Sequence, residues 1–320
     1  MVEQKALILD KPRGDFRVGT KAIPKPGPGE LLVKVHATAL NPVDWGIRQY
    51  NIIVNEYPVV LGLDSAGTVE EIGEGVEGFA KGDRVVHGGN LRNGCGTFQQ
   101  YTRVPAQRCV IPSNVSFHEA ASVPECLSTA AIGLYADIHK PDGATKYKPA
   151  WEDGGEGLYH GKAILVIGGS TSVGQYVIQL AKLSGFSPII ATDIKKVLND
   201  MPLELIYDAA SRQEQESWGL LAPGGTLIIA SLFQVDKESE KYKDKAIINS
   251  FFGEVNSPEH RQFGVSLYSK LTNLLESGAI KPCRVEVLPN GLAGIPDGSY
   301  RLGNNKVSGM KLVARPWETA

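Results

Sequence analysis

The chain has 320 residues, a formal net charge of −2 and 42% hydrophobic residues. This length suits two domains, and the near-neutral charge disfavours nucleic acid or an acidic membrane surface as a partner. No apolar run approaches the roughly 20 residues of a membrane span, and the N-terminus lacks a long apolar signal-peptide core. We therefore expect a cytoplasmic protein that acts on a small molecule.

The cysteines offer no sign of a disulfide framework or a metal site. Four are present, at Cys95, Cys109, Cys126 and Cys283. None forms a CxxC pair, and none has ligand spacing to a histidine. This usage is typical of reduced thiols inside the cell.

The first 125 residues read as short strands separated by turns rich in glycine and proline. The N-terminal residues, 31–37 and 64–72 have strand patterns, and 24–29 is a turn region without helical period. From 126 to 284 strands and helices alternate, which predicts a parallel sheet. Residues 140–160 interrupt this alternation with a loop that we expect at the surface.

The most informative stretch lies within the alternating part. Residues 163–167 form an apolar run typical of a buried parallel strand, and the apolar residues after position 172 recur at helical spacing. Glycines and small hydroxyl residues fill the turn between them, where a helix N-terminus and close backbone approach suit a pyrophosphate. The alternative is an ordinary turn without ligand. The predicted cofactor-binding residues here are Gly169, Ser170, Thr171, Ser172, Val173 and Gly174.

Three more strands are predicted after the glycine turn, at 188–192, 203–207 and 226–230. Ser231 and Leu232 follow the last of them, where strand ends face a cofactor in such sheets. Residues 310–314 form a final strand that we expect to pair back onto the first domain.

Motifs along nearly the whole chain resemble the zinc-independent medium-chain dehydrogenases/reductases, close to fungal enoyl-reductase-like and quinone-reductase-like members. They include Asn-Pro-Val-Asp-Trp at 41–45, Gly-Leu-Asp-Ser-Ala-Gly at 62–67, Lys-Gly-Asp-Arg-Val at 81–85 and Lys-Val-Ser-Gly-Met-Lys at 306–311. The resemblance implies an α/β protein with a GroES-like domain at 1–125 and 285–320. It also implies a Rossmann domain at 126–284.

The resemblance further implies NADP(H) as cofactor and hydride transfer to a polarised C=C bond or a quinone. Asn41 is a candidate for an amide that contacts the nicotinamide ribose or the substrate, or else only a turn former before Pro42. Thr129 is expected to contact the nicotinamide, or else to cap the start of a helix. Pro42, Val43, Val307 and Ser308 are further expected cofactor contacts. No side chain stands out as a general acid.

Zinc relatives place ligands at the 41–44 turn, in the 62–64 segment and just before Leu127. Here the first place reads Asn-Pro-Val-Asp, the second reads Gly-Leu-Asp and the third reads Pro-Glu-Cys, with no histidine in any of them. A catalytic zinc needs about three converging ligands, so we expect no metal.

Two departures from the family pattern bear on activity. Relatives commonly carry lysine where this chain has Gly46. The connection between the strands at 188–192 and 203–207 is also short by about one αβ unit, which predicts a Rossmann domain shortened at the adenosine side. Asp193 favours the free ribose of NAD(H), whereas Lys195 or Lys196 suits the 2′-phosphate of NADP(H).

Two functions remain open from the sequence. The first is an NAD(P)H-dependent reductase of activated alkenes or quinones, acting as a monomer or homodimer. The second is a non-catalytic, reductase-like protein with a degenerate cofactor site. The glycine turn favours the first, and the short connection and Gly46 favour the second.

Overall fold

The computed structural model describes residues 2–91, 95–106, 110–136, 147–191, 203–211, 214–231, 244–250 and 260–320. These residues form two compact units. The first contains Met1–Glu125 and Tyr268–Ala320, and the second contains Cys126–Leu267. The second unit ends at Leu267, inside the helix Arg261–Glu276, whereas the sequence predicted that the second domain ends at 284. No change of composition marks a boundary inside a helix, so the sequence carried no signal for it.

The first unit is built from two antiparallel-rich sheets. Its strands are β1 (Glu3–Leu9), β2 (Phe16–Ala22), β3 (Glu30–Ala39), β4 (Val59–Val60), β5 (Asp64–Ile72), β6 (Arg84–Gly88), β7 (Tyr101–Pro105), β13 (Val285–Val287) and β14 (Lys311–Ala314). One sheet has the order β2-β1-β4, and the other has β13-β14-β3-β5-β6 with β7 also paired to β3. The alternating pattern predicted at 64–72 is confirmed as β5.

The helices of the first unit are short. They are α1 (Pro42–Tyr50), α2 (Phe117–Ala121) and α7 (Ile295–Gly303). A buried cluster of Leu31, Val33, Val69, Val85 and Val104 fills the space beside the larger sheet. Strand alternation directs these side chains to one face.

The second unit holds a five-stranded parallel sheet. Its strands are β8 (Ile164–Ile167), β9 (Ile189–Ala191), β10 (Leu203–Asp208), β11 (Leu221–Ile229) and β12 (Ala246–Asn249), in the order β12-β11-β10-β8-β9. Helices α4 (Ser172–Leu183) and α5 (Glu214–Leu220) lie within this unit, while α3 (Pro124–Tyr135) and α6 (Arg261–Glu276) cross its borders. The predicted parallel sheet is confirmed.

The strand order also locates the missing αβ unit. A doubly wound dinucleotide-binding sheet has the order 3-2-1-4-5-6. Taking β8 as strand 1 and β9 as strand 2, the observed order corresponds to 6-5-4-1-2. Among the described strands β9 is therefore the edge, and no third strand lies beyond it. The connection that follows β9, with Asp193 and Lys195, lies outside the described residues, as does Leu232.

The described part of the loop predicted at 140–160 packs onto the second unit through aromatic rings. Trp151 makes edge contacts with Tyr135 and Phe263, and its indole nitrogen donates to Ser266 Oγ at 3.1 Å. Tyr159 stacks on Phe186. No described helix is both long enough and apolar enough to cross a membrane.

Candidate functional site

The glycine turn of the second unit has the geometry expected of a phosphate-binding turn. Strand β8 ends at Ile167, and Gly168 then adopts a left-handed φ of 71° that few other residues tolerate. Thr171 is the N-cap of α4, and its Oγ1 accepts the N–H of Gly174 at 3.0 Å. The predicted strand, turn and helix are confirmed in this order.

The turn has no room for a side chain at Gly174. A Cβ there would lie 2.3 Å from the carbonyl oxygen of Gly168 and 2.9 Å from the Cα of Gly169. A Cβ at Gly169 would lie 3.1 Å from both Ala191 Cβ and Ile178 Cδ1. Glycine at these positions therefore lets α4 start directly against the end of β8.

The start of α4 is also accessible. Ser170 is exposed, and Thr171, Ser172 and Val173 are half-buried. The first N–H groups of a helix have no acceptor within it, and they carry the positive end of the helix dipole. A phosphate group fits this place, so the residues predicted for the pyrophosphate lie together as one site.

Other polar groups gather at the same edge of the parallel sheet. Asp208 ends β10, and its Oδ1 accepts the N–H groups of Ala210 at 2.9 Å and Ser211 at 2.8 Å. Half-buried Ser231 lies just beyond β11. Because carboxyl ends of parallel strands meet at one edge, this is the edge where dinucleotides bind in such folds. The sequence named Ser231 but overlooked Asp208.

Thr129 lies in the middle of α3 and not at its start, because that helix begins at Pro124. The alternative of a helix-start cap is therefore wrong. Thr129 is 6% exposed, and its carbonyl oxygen accepts the hydroxyl of Tyr207 at 2.9 Å. Burial raises the pKa of Tyr207, so its proton stays in this hydrogen bond at neutral pH.

The first unit contains a buried polar network at the place where zinc relatives carry ligands. The sheet register brings it together, since Ala39 at the end of β3 pairs with both Asp64 of β5 and Val313 of β14. Asn41 follows β3, and Lys311 begins β14. All three polar side chains are at most 3% exposed.

The hydrogen bonds of this network are short. Lys311 Nζ donates to Asn41 Oδ1 at 2.5 Å and lies 3.1 Å from Asp64 Oδ2. Asn41 Nδ2 donates to the same Asp64 oxygen at 2.8 Å, while Asp64 Oδ1 accepts the N–H of Glu125 at 2.7 Å. Both carboxylate oxygens of Asp64 are therefore engaged.

Asp44 joins the network to the start of α1. Its Oδ2 accepts the N–H of Asn41 at 2.8 Å, and its Oδ1 accepts the N–H of Gly62 at 3.2 Å. Burial raises the pKa of Asp44 to about 7, helped by the nearby Asp64 and opposed by these N–H groups and by Lys311. Asn41 is thus both the N-cap of α1 and a partner of two charged side chains.

The remaining predicted contacts of the first unit lie beside this network. Pro42 is exposed and Val43 is buried at the start of α1, directly after Asn41. Half-buried Val307 and exposed Ser308 lie in the segment that leads into Lys311. The sequence contains Lys311 within a motif but does not indicate its partners, which only the sheet register shows.

A buried histidine lies next to the network. His87 of β6 pairs with Ser65 of β5, and its Nε2 lies 2.9 Å from Ser65 Oγ. Burial lowers the pKa of His87 to about 4, so its ring is neutral near pH 7. It does not supply an imidazolium proton there.

The residues at the metal position do not fit zinc. Leu63 is buried in the segment where zinc relatives carry a ligand, and the two oxygens that face each other, from Asn41 and Asp64, are already bridged by an ammonium. In the described parts of the chain no three His, Cys, Asp or Glu side chains converge. Zinc prefers imidazole, thiolate and carboxylate ligands, and these residues do not offer such a set.

Comparisons with known proteins agree with this geometry. Residues 27–114 match the alcohol dehydrogenase GroES-like domain. A trans-enoyl reductase of Cochliobolus carbonum is 34% identical over 216 residues, which cover 65% of this chain and 68% of the relative. A trans-enoyl reductase of a Penicillium species is 29% identical over 94% of this chain and 95% of the relative.

Some matches are partial, and the solved structures support the fold. The match to a dehydrogenase of Emericella nidulans, 35% identical, spans 59% of this chain and only 57% of the relative. The CurK enoyl reductase structure has a TM-score of 0.76 and 19% identity, over 98% of this chain and 99% of that one. The chain therefore belongs to the medium-chain dehydrogenase/reductase family, together with these fungal trans-enoyl reductases.

Proposed function

We propose that the protein is an NADPH-dependent oxidoreductase that reduces an activated C=C bond, as in an enoyl or enone group, or a quinone, without zinc. The observation that carries this proposal is the glycine turn at the carboxyl edge of the parallel sheet. The relatives named trans-enoyl reductases support the choice of acceptor. NADH remains an alternative cofactor.

The chain's own groups supply binding and orientation in this proposal. The N–H groups at the start of α4 and the hydroxyls of Ser170 and Ser172 hold the pyrophosphate. Ser231 contributes from the end of β11, and Val307 and Ser308 contribute from the segment before β14. A reduced nicotinamide, when bound, supplies the hydride.

Asn41 and Thr129 are the side chains that we propose to act at the nicotinamide end, with Pro42 and Val43. Both residues are buried, Asn41 Nδ2 donates to Asp64 Oδ2, and the Thr129 backbone carbonyl accepts the hydroxyl of Tyr207. Fixed polar groups of this kind orient a reacting ring without rearrangement during reaction. In this proposal these side chains, and not a metal ion, polarise the oxygen of the acceptor.

A second candidate is a non-catalytic, reductase-like protein. The five-stranded sheet favours it, because the strand that would extend the sheet beyond β9 is absent from the described residues. Gly46, which is buried in α1 where relatives carry lysine, favours it as well. The intact glycine turn favours the enzyme.

Fluorescence titration with NADPH and with NADH separates these candidates before a substrate is known. We expect saturable binding of NADPH, followed by NADPH oxidation with an α,β-unsaturated thioester, an enone or a quinone. Binding without turnover on all three acceptor classes would favour the non-catalytic protein. Absence of binding to either nucleotide would contradict both the cofactor and the reductase assignment.

A further inference from the structure

Lys311 connects the two segments of the first unit that are proposed to face the cofactor. It is the first residue of β14 and directly follows the segment with Val307 and Ser308. Its ammonium reaches Asn41, which caps the helix that begins with Pro42 and Val43. One side chain thus ties together the turns at 41–43 and 307–308.

The network permits only one orientation of the Asn41 amide. An ammonium only donates hydrogen bonds and an ionised carboxylate only accepts them. Lys311 therefore requires the amide oxygen on its side, and Asp64 requires the amide nitrogen on its side. A flipped amide would face both charged partners with the wrong group.

The charges are balanced at the same place. Asp64 is fully buried and Lys311 is 3% exposed, so each charge would be costly without the other. A metal ion at such a position would neutralise the carboxylate and fix a neighbouring oxygen ligand. The ammonium of Lys311 makes both of these contacts, to Asp64 Oδ2 and to Asn41 Oδ1.

We propose that Lys311 is a positioning residue that takes the place of a metal ion, neutralising Asp64 and holding the Asn41 amide for action at the nicotinamide end. This inference rests on the proposed function in assigning Asn41 to that site. The competing explanation is that Lys311 and Asp64 only stabilise the fold.

A charge-balanced pair of substitutions distinguishes these explanations. Lys311→Met alone leaves the buried Asp64 carboxylate without its counter-charge, so we expect a lowered melting temperature. Lys311→Met with Asp64→Asn removes both charges, and the melting temperature should recover most of the loss. The matched control is Lys5→Met, because Lys5 Nζ donates to the carbonyl oxygen of Thr319 at 2.9 Å and pairs with no carboxylate in the described contacts.

Two measurements on the double variant decide the proposal. If Lys311 positions Asn41, kcat stays about tenfold or more below the wild type despite the recovered melting temperature, because small misplacements at a reacting centre are costly. NADPH affinity should fall less than kcat, because the glycine turn at the start of α4 is unaltered in this variant. A kcat within about twofold of the wild type would overturn the proposal, because it would show that Lys311 and the reacting centre are not coupled.

The second measurement does not depend on activity. In protein labelled with isotope at asparagine, the side-chain NH₂ signals of Asn41, assigned with Asn41→Ser, should exchange slowly with solvent in the wild type. They should exchange fast in the double variant and remain slow in Lys5→Met. Unchanged Asn41 signals in the double variant would overturn positioning by Lys311. If the wild type showed slow exchange but no reductase activity, the proposed function would fail while the amide-holding role stood.

Discussion

Gly174 is the residue on which the pyrophosphate turn most depends. Since a Cβ there would meet the Gly168 carbonyl at 2.3 Å, Gly174→Asp must displace the turn, and its charge would repel a pyrophosphate. We expect loss of NADPH binding in a protein that still folds, measured by fluorescence titration and circular dichroism. The control is Gly219→Asp, because Gly219 is exposed and a Cβ there meets nothing within 4 Å. A folded Gly174→Asp variant with wild-type affinity would remove this site.

Asp44 gives the buried network a pH dependence whose sign can be stated. Its pKa is about 7 in the fold, against about 3.9 for an unperturbed aspartate. Between these values the folded state binds more protons than the unfolded state, so the stability that Asp44 contributes is lost as pH rises through about 7. Each unit of pKa difference corresponds to about 1.4 kcal/mol, which denaturant titration can resolve.

We therefore expect the stability advantage of the wild type over Asp44→Asn to shrink from about pH 4 to pH 8. Urea unfolding of both proteins across this range measures the difference. Asp83→Asn is a matched control, because Asp83 also accepts a backbone N–H, from Ala80, but in an exposed turn. A wild-type advantage that grew with pH would contradict the raised pKa of Asp44.

At the scale of elements, the edge strand β9 determines what the nucleotide's adenosine end can meet. Adenine and its ribose normally lie beyond the second and third strands, and among the described strands none extends the sheet beyond β9. Asp193 would repel a 2′-phosphate, whereas Lys195 and Lys196 would attract it. We expect the preference for NADPH over NADH to be small, on the order of 1 kcal/mol for opposed, partly exposed charges.

Dissociation constants for NADPH and NADH at low and high salt measure this preference. Salt should reduce it further, because exposed charges are screened. A preference of about a hundredfold that persisted at high salt would show a formed pocket in place of the missing unit, since screened surface pairs contribute far less.

The sequence predicted the strands well where one hydrophobic pattern, either alternation or a continuous apolar run, dominated. The strands read at 64–72, 163–167 and 203–207 lie within one residue of β5, β8 and β10, because alternation or an apolar run marks them clearly. The site was harder to predict. Lys311, Asp64 and Asn41 are far apart in the chain, and only strand register brings them together. The alternative of a helix-start cap for Thr129 was wrong, although a proline such as Pro124 is typical of the first helical position.

At the scale of the whole molecule, the aligned lengths agree with a shortened chain. The match to the Penicillium relative extends over 355 positions, although 94% of a 320-residue chain is only about 301 residues. This relative therefore carries additional segments, which agrees with the predicted loss of one αβ unit.

Ligand binding to the whole protein should be visible as stabilisation. A ligand that binds only the folded state adds about 2.7 kcal/mol at a concentration 100 times its dissociation constant. We expect NADPH to raise the melting temperature of the wild type and of Gly219→Asp but not of Gly174→Asp. A shift of equal size in all three would place NADPH binding outside the glycine turn.

Metal content is a separate property of the whole protein. Because Lys311 already bridges Asn41 and Asp64, we expect no stoichiometric zinc in purified protein and no effect of chelators on NADPH oxidation. Elemental analysis measures this, with an established zinc enzyme purified in parallel. About one zinc per chain would contradict the proposed zinc independence, because a catalytic zinc centre holds one ion.

The ammonium at the centre of the buried network has a consequence for how the protein matures. Lys311 is part of the polypeptide, so its charge arrives with synthesis and is set in place when β14 pairs with β3. Unlike a metal ion, this positive charge does not have to be acquired after folding, and it cannot be lost when metal is scarce. Folding alone completes it.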